Sequence, residues 1–215
     1  MRGFICKATF KSHLRSGMTL MVGGFLANGS PDYLIDLILE TDFRDFTVIC
    51  NDGGFEDRGV GKLIVANRVK KLIASHIGTN PTVGKLMQEG KLEVTLVPQG
   101  TLVEQIRAAG AGLGGFLTPT GLNTIVQDGK QVISVKGIPY LLEEPLFADL
   151  ALIGGAICDQ YGNLVYRQSM RNFNPIMAMA ATLVIACCAH KVDTHHHETV
   201  ITPFPLVDYI VMEEQ

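Results

Sequence analysis

Short apolar runs with almost no alternation constrain this chain more than any other feature: MTLMV (18–22), FTVIC (46–50), KLIAS (71–75), LEVTLV (92–97), DLALI (149–153) and TLVIAC (182–187). Each is rich in β-branched or aliphatic residues and closes on a turn signal. A strand whose apolar residues run nearly without a break is one covered on both faces. Between the runs, 31–40, 81–89, 101–109 and 175–181 carry helical spacing. This strand–helix alternation predicts an α/β fold, a mostly parallel layered sheet with helices on both faces. The Gly- and Pro-rich stretch 110–145 departs from the pattern and holds one hairpin-like run, KQVISVKGIPYLLEE. No linker divides the chain, so residues 1–215 are expected to form one domain.

Composition narrows the function. At 47% hydrophobic and 18% charged, the chain can bury a substantial core. A net charge of −3, with Lys and Arg scattered, excludes a nucleic-acid surface and a polybasic membrane patch. The longest apolar stretch, Ile176 to Ala189, is interrupted by Thr182 and falls short of the roughly 20 residues of a membrane span. The N-terminal MRGFICKATFKSHL has no apolar core of signal-peptide length. A cytoplasmic protein with no membrane or nucleic-acid partner is the expectation. Cys6, Cys50, Cys158, Cys187 and Cys188 form no CxxC pair and read as reduced, buried thiols. His195, His196 and His197 adjoin Glu198, but consecutive residues on an extended chain point to opposite faces, so no metal site is expected.

Residues 21–40, MVGGFLANGSPDYLIDLILE, crowd glycines between a strand and a helix. Ser30 stands where an N-cap belongs, Pro31 at the first helical position, and Asp32 in the first turn. Leu34, Leu37 and Ile38 then share the face turned to the sheet. The turn therefore leads from a strand's C-terminal end to a helix N-terminus, the place where ligands bind in open α/β sheets. Gly23, Gly24 and Gly29 permit left-handed backbone and close approach. No G-K-[ST] follows, so this is not a phosphate loop of the Walker kind. GAGLGG (110–115) satisfies G-x-G-x-x-G, yet follows a helix-like segment instead of a strand, which excludes a nicotinamide site.

SGMTLMVGGFLANGSP (16–31) resembles the signature of the family I coenzyme A transferases, with Ser16 where Asp or Asn is usual. ASHIGTNP (74–81), PQGTLVEQIRAAGAGLGGFLTPTG (98–121) and NFNPIMAMAA (172–181) resemble the α subunits of the acetate/acetoacetate/butyrate type, so the likeness runs in order over about residues 14–185. The resemblance implies transfer of CoA from an acyl-CoA to a free carboxylic acid through a glutamyl-CoA thioester. The nucleophilic glutamate lies in a Glu-Asn-Gly motif of the β subunit, and no Glu-Asn-Gly occurs in these 215 residues. An α subunit that is inactive alone and assembles as α2β2 is thus implied, with CoA as substrate and product and no permanently bound cofactor. Carried over by position, Gly23, Gly24, Phe25, Leu26, Ala27, Asn28 and Gly29 form the CoA-binding segment, Asn51 and Asp52 meet the acid's far end, and Gln99 lies beside the catalytic glutamate. Succinyl-using relatives have an amide at the position of Asp52. An ionised Asp there would repel a second carboxylate by about 4 kcal/mol at about 4 Å and an effective dielectric of about 20. Monocarboxylates are therefore favoured over a succinyl-CoA:3-oxoacid specificity. A CoA-ester or sugar-phosphate sensor without turnover is the reading from another class. The departures at Cys187–Cys188 and Phe204 put the C-terminal packing in question.

Overall fold

The computed structural model describes residues 2–213; residues 1, 214 and 215 of the expected domain lie outside it. β1 (Gly3–Phe4) and α1 (Lys7–Ser12) precede a series of strand–helix units: β2 (Thr19–Val22), α2 (Asp32–Leu39), β3 (Phe46–Ile49), α3 (Gly61–Val65), β4 (Val69–Ala74), α4 (Pro81–Gln88), β5 (Glu93–Leu96) and α5 (Gln99–Gly110). The excursion follows as β6 (Phe116–Thr118), β7 (Val132–Val135) and β8 (Ile138–Glu143). β9 (Ala148–Asp159), β10 (Leu164–Val165), α6 (Asn174–Met177), β11 (Ala181–Val192) and β12 (Tyr209–Met212) complete the chain.

The large sheet runs β1-β12-β11-β9-β2-β3-β4-β5, with β10 paired to β9. Every pair along that order is parallel, and only β10 is antiparallel. Strands β2 to β5 are added in one direction, after which the chain returns to the other side of β2 and adds β9, β11 and β12. The switch point therefore falls between β2 and β9, where crossovers leave in opposite directions and open a crevice at the strands' C-terminal ends. The excursion forms a separate antiparallel sheet, β6-β8-β7. Its β7–β8 turn places Lys136 (φ 53°) and Gly137 (φ 81°) in the left-handed region, as a two-residue hairpin requires.

Two cores confirm burial on both faces. Leu20 and Val22 of β2, Val48 of β3, Leu150 and Leu152 of β9 and Ile185 of β11 pack under α1 to α4. Their neighbours Met21, Ile49, Ala151, Ile153 and Val184 pack under α5 and α6 on the opposite face. Strand β5, at the edge of the sheet, is the exception: Leu96 is 55% exposed. Helix α6 is also shorter than its spacing suggests. The Ala180 carbonyl accepts the Ala148 N–H (3.1 Å), so the chain is already entering the sheet where helix was expected. Among the described residues, no helix is long and apolar enough to cross a membrane.

Cys50, Cys158, Cys187 and Cys188 are buried, but Cys6 is exposed. It precedes α1, and its bond with the Thr9 hydroxyl pulls the thiol pKa down, whereas burial pushes that of Cys50 up. In the isolated native chain, a thiol-disulfide chromogen should titrate one thiol rapidly and all five after denaturation. Cys6→Ser should abolish the rapid phase; a rapid phase that survives would contradict this packing.

Candidate active site

At the switch point, β2 leads straight into the glycine turn. The Gly23 N–H donates to the Leu152 carbonyl (2.9 Å), extending the β2–β9 ladder by one bond. Phe25 and Asn28 then exchange backbone hydrogen bonds (3.1 and 2.9 Å), closing a minimal hairpin. Its tip residues, Leu26 (φ 48°) and Ala27 (φ 61°), are both left-handed. Such a turn ordinarily carries Asn-Gly; with side chains present, each residue costs roughly 1–2 kcal/mol. Conformations of this kind persist only where their surroundings enforce them.

Those surroundings come from two sides. From the loop after β3, Asp52 Oδ2 accepts the Leu26 N–H (2.8 Å). From the segment before α6, Asn172 Oδ1 accepts the Gly24 N–H (3.2 Å) and its Nδ2 donates to the Asn28 carbonyl (2.8 Å). Asn174 Nδ2 donates to the Gly29 carbonyl (3.0 Å) and its Oδ1 accepts the Gly154 N–H (3.0 Å). A Cβ at Gly23 would overlap that same Asn174 amide. The missing side chain at Gly23 thus makes room for an asparagine of the protein itself, while Asn172 bonds the turn's backbone. Neither had been given a role from sequence, although both stand in the family-like NFNP.

A second turn lies against the first. Residues 53–59 read GGFEDRG, repeating the G-G-F-x-x-x-G of residues 23–29 at an offset of 30 (53 − 23). Phe55 and Arg58 close it with the same pair of backbone bonds (3.3 and 3.4 Å). The Arg58 guanidinium lies 4.3 Å from the Phe55 ring centroid, within cation–π range. Between the two turns is a gap of about 10 Å³ bordered by Ser30, Asn51 and Asp52, room for about one water. The internal repeat was legible in the sequence and would have flagged this second turn.

Asn51, Asp52 and Gln99 come together. Gln99, the first residue of α5, donates from Nε2 to Asn51 Oδ1 (2.6 Å), and Asn51 Nδ2 donates to Asp52 Oδ2 (2.8 Å). Asp52 Oδ1 accepts the Gly54 N–H (2.9 Å). Asn51 and Asp52 are buried, at 2% and 5% exposure. Gln99 is exposed and shares with Phe25, Val103, Phe173 and Ile176 a groove of about 380 Å³. Asp52 borders the gap and not the groove.

Several sequence expectations are corrected here. Helix α2 is capped at Pro31, one residue later than expected, and the Ser30 hydroxyl caps nothing: its buried Oγ has no partner. The Ser30 N–H bends back to the Ala27 carbonyl (3.3 Å), which turns the residue into the hairpin. Asp32 does lie in the first turn, but its Oδ1 accepts the Gly59 N–H (2.7 Å) and so joins the two turns. Burial raises its carboxyl pKa, with the Gly59 bond opposing. Ser16 fills the place of the usual acid or amide by accepting the Arg44 N–H (3.1 Å). His196 and His197 are exposed, and no three His, Cys, Asp or Glu side chains among the described residues converge as a metal would require.

The coenzyme A transferase family model matches residues 6–213. The acetate CoA-transferase subunit alpha of Escherichia coli K12 is 51% identical over 94% of this chain and 92% of its own. The acetoacetyl-CoA:acetate/butyrate CoA transferase alpha subunit of Clostridium acetobutylicum is 51% identical over 94% of each. In fold, the chain superposes on an Escherichia coli O157:H7 acyl-CoA transferase solved as a thioester complex with CoA (TM-score 0.86, 22% identity). It covers 98% of this chain and about half of that longer one, 47%. The chain belongs to the coenzyme A transferase family.

Gly23→Ala should lower stability by about 1–3 kcal/mol, the usual range for overpacking, in urea unfolding at unchanged m-value. Asp32→Asn tests the buried carboxyl. Because the folded pKa is raised, the folded state holds its proton longer, and stability falls as pH rises through the carboxylate range toward that raised value. The variant's melting temperature should match wild type in acid and exceed it at neutral pH; the reverse order would refute the assignment.

Proposed function

We propose that this chain is the α subunit of a CoA-transferase that moves CoA between a short-chain acyl-CoA, such as acetyl-, butyryl- or acetoacetyl-CoA, and a free monocarboxylic acid. The observation that carries the reading is that Phe25 of the glycine turn and Gln99, held by buried Asn51, share one groove at the switch point, in a chain that lacks Glu-Asn-Gly. The names of relatives half-identical over nearly the whole length support the substrate class.

In this reading the nucleophile enters from a β subunit, and the active assembly is α2β2 in the cytoplasm. The β glutamate attacks the acyl-CoA carbonyl, expelling CoA thiolate and leaving a mixed anhydride. The thiolate then attacks the glutamyl carbonyl, releasing the first acid and forming the glutamyl-CoA thioester. The incoming carboxylate reverses both steps. Residues Gly23–Gly29 form the fixed turn against which the CoA arm lies, with Phe25 on the groove wall. Gln99 offers a neutral amide, free to hydrogen-bond to the oxygen that gathers negative charge. Asn51 steadies that amide. CoA is exchanged as substrate and product, and no resident cofactor is required.

Acetoacetate-dependent consumption of acetyl-CoA should be absent with the purified chain and appear on co-expression with a β subunit. Activity from the chain alone would overturn the reading, as would CoA binding by the pair without turnover.

A further inference from the structure

Asp52 was expected at the acid's far end, yet its carboxylate is consumed by the protein. Three donors converge on it: Asn51 Nδ2 and the Leu26 N–H on Oδ2 (both 2.8 Å), and the Gly54 N–H on Oδ1 (2.9 Å). It is 5% exposed. One buried carboxylate thus grips the strained tip of the first turn, the base of the second and the amide of Asn51.

Its chemistry also fixes polarity. A carboxylate only accepts, so Asn51 must turn its NH2 toward Asp52 and its oxygen toward Gln99. Gln99 must answer with Nε2 (2.6 Å), leaving its second N–H and its Oε1 for the groove. An isolated amide would have no reason to prefer either orientation. The order Leu26 N–H to Asp52, Asn51 to Asp52, Gln99 to Asn51 therefore ties the backbone of the glycine turn to the amide that faces the groove.

We propose that Asp52 is a positioning residue, locking the Leu26–Ala27 tip and setting through Asn51 which way the Gln99 amide faces, and that it is not a charge filter against dicarboxylates. The inference deepens the CoA-transferase reading and rests on it. An Asn at this position keeps the shape but has one acceptor oxygen for three donors, so at least one bond is lost. If that bond is Asn51's, both amides can turn over.

The test is a double-mutant cycle on the α–β enzyme with Asp52→Asn and Gln99→Ala. Asp52→Asn alone should lower kcat by about tenfold or more, the scale of loss expected from small misplacement at a site. In the Gln99→Ala background it should cost at least about threefold less, since residues acting as a unit are not additive. The ratio of succinate to acetate turnover should be the same in Asp52→Asn as in the wild type. Additive losses, or a rise in that ratio, would overturn the inference while leaving the transferase reading intact; a wild-type pair without transferase activity would sink that reading instead. NMR of the isolated chain tests the linkage without turnover. Gln99→Ala, at an exposed position, should shift the Asn51 side-chain NH2 and the Leu26 backbone N–H, even if Asp52→Asn does not fold. Unmoved resonances would refute the linkage.

Discussion

A parallel sheet buried on both faces can offer its backbone to a ligand in few places. Here Leu20 and Val22 of β2 point into one core while Met21 points into the other. The ladder supplies hydrogen bonds to the strand, and both faces are closed to solvent. Only the C-terminal ends remain, and among them the junction of β2 and β9 is where crossovers part. The position of the glycine turn follows from that constraint, and the candidate site is assembled around the turn.

What holds the turn is a set of side chains distant in sequence. Asp52 arrives from the loop after the next strand; Asn172 and Asn174 arrive from a segment about 150 residues on, with separations of 148 and 145 residues for the Gly24 and Gly29 contacts. All three use bonds to main-chain N–H or C=O groups, which an irregular turn leaves free of any ladder. Two left-handed residues cost roughly 1–2 kcal/mol each, while a net hydrogen bond contributes about 0.5–1.5 kcal/mol, and more when one partner is charged. Several such bonds acting together offset the strain. The same bonds leave a rigid turn beside an exposed amide.

Much of this was legible without coordinates. The continuous apolar runs identified six of the parallel strands, because a strand covered on both faces has no solvent side to mark with polar residues, and missed β1 and β12. The hairpin of 132–143 announced itself through Lys136–Gly137. Errors arose where tertiary pairing overrode local preference. Ser30 is a good N-cap by type, but the hairpin took its backbone first. The 175–181 segment has helical spacing, but Ala180 was needed by the sheet. Cys6 resembles the other cysteines in composition and differs in burial because α1 packs through Phe10 instead. In the candidate site, resemblance singled out Asn51, Asp52 and Gln99, which the structure brings together, whereas Asp52's engagement was not legible, since a buried carboxylate and an exposed one are the same letter.

The sequence by itself determined the order of strands and helices, the place of the glycine turn after the first central strand, and the kinship of the chain, because apolar periodicity and residue type act over a few neighbours. Tertiary structure alone decided that Asn174 fills the space left by Gly23 and Asn172 bonds the turn's backbone, that a second GGF turn leans on the first, and that Asp52 spends its charge inside the protein. These depend on which groups meet across the sheet, and hydrogen bonds between groups brought together from far apart leave no period in the chain.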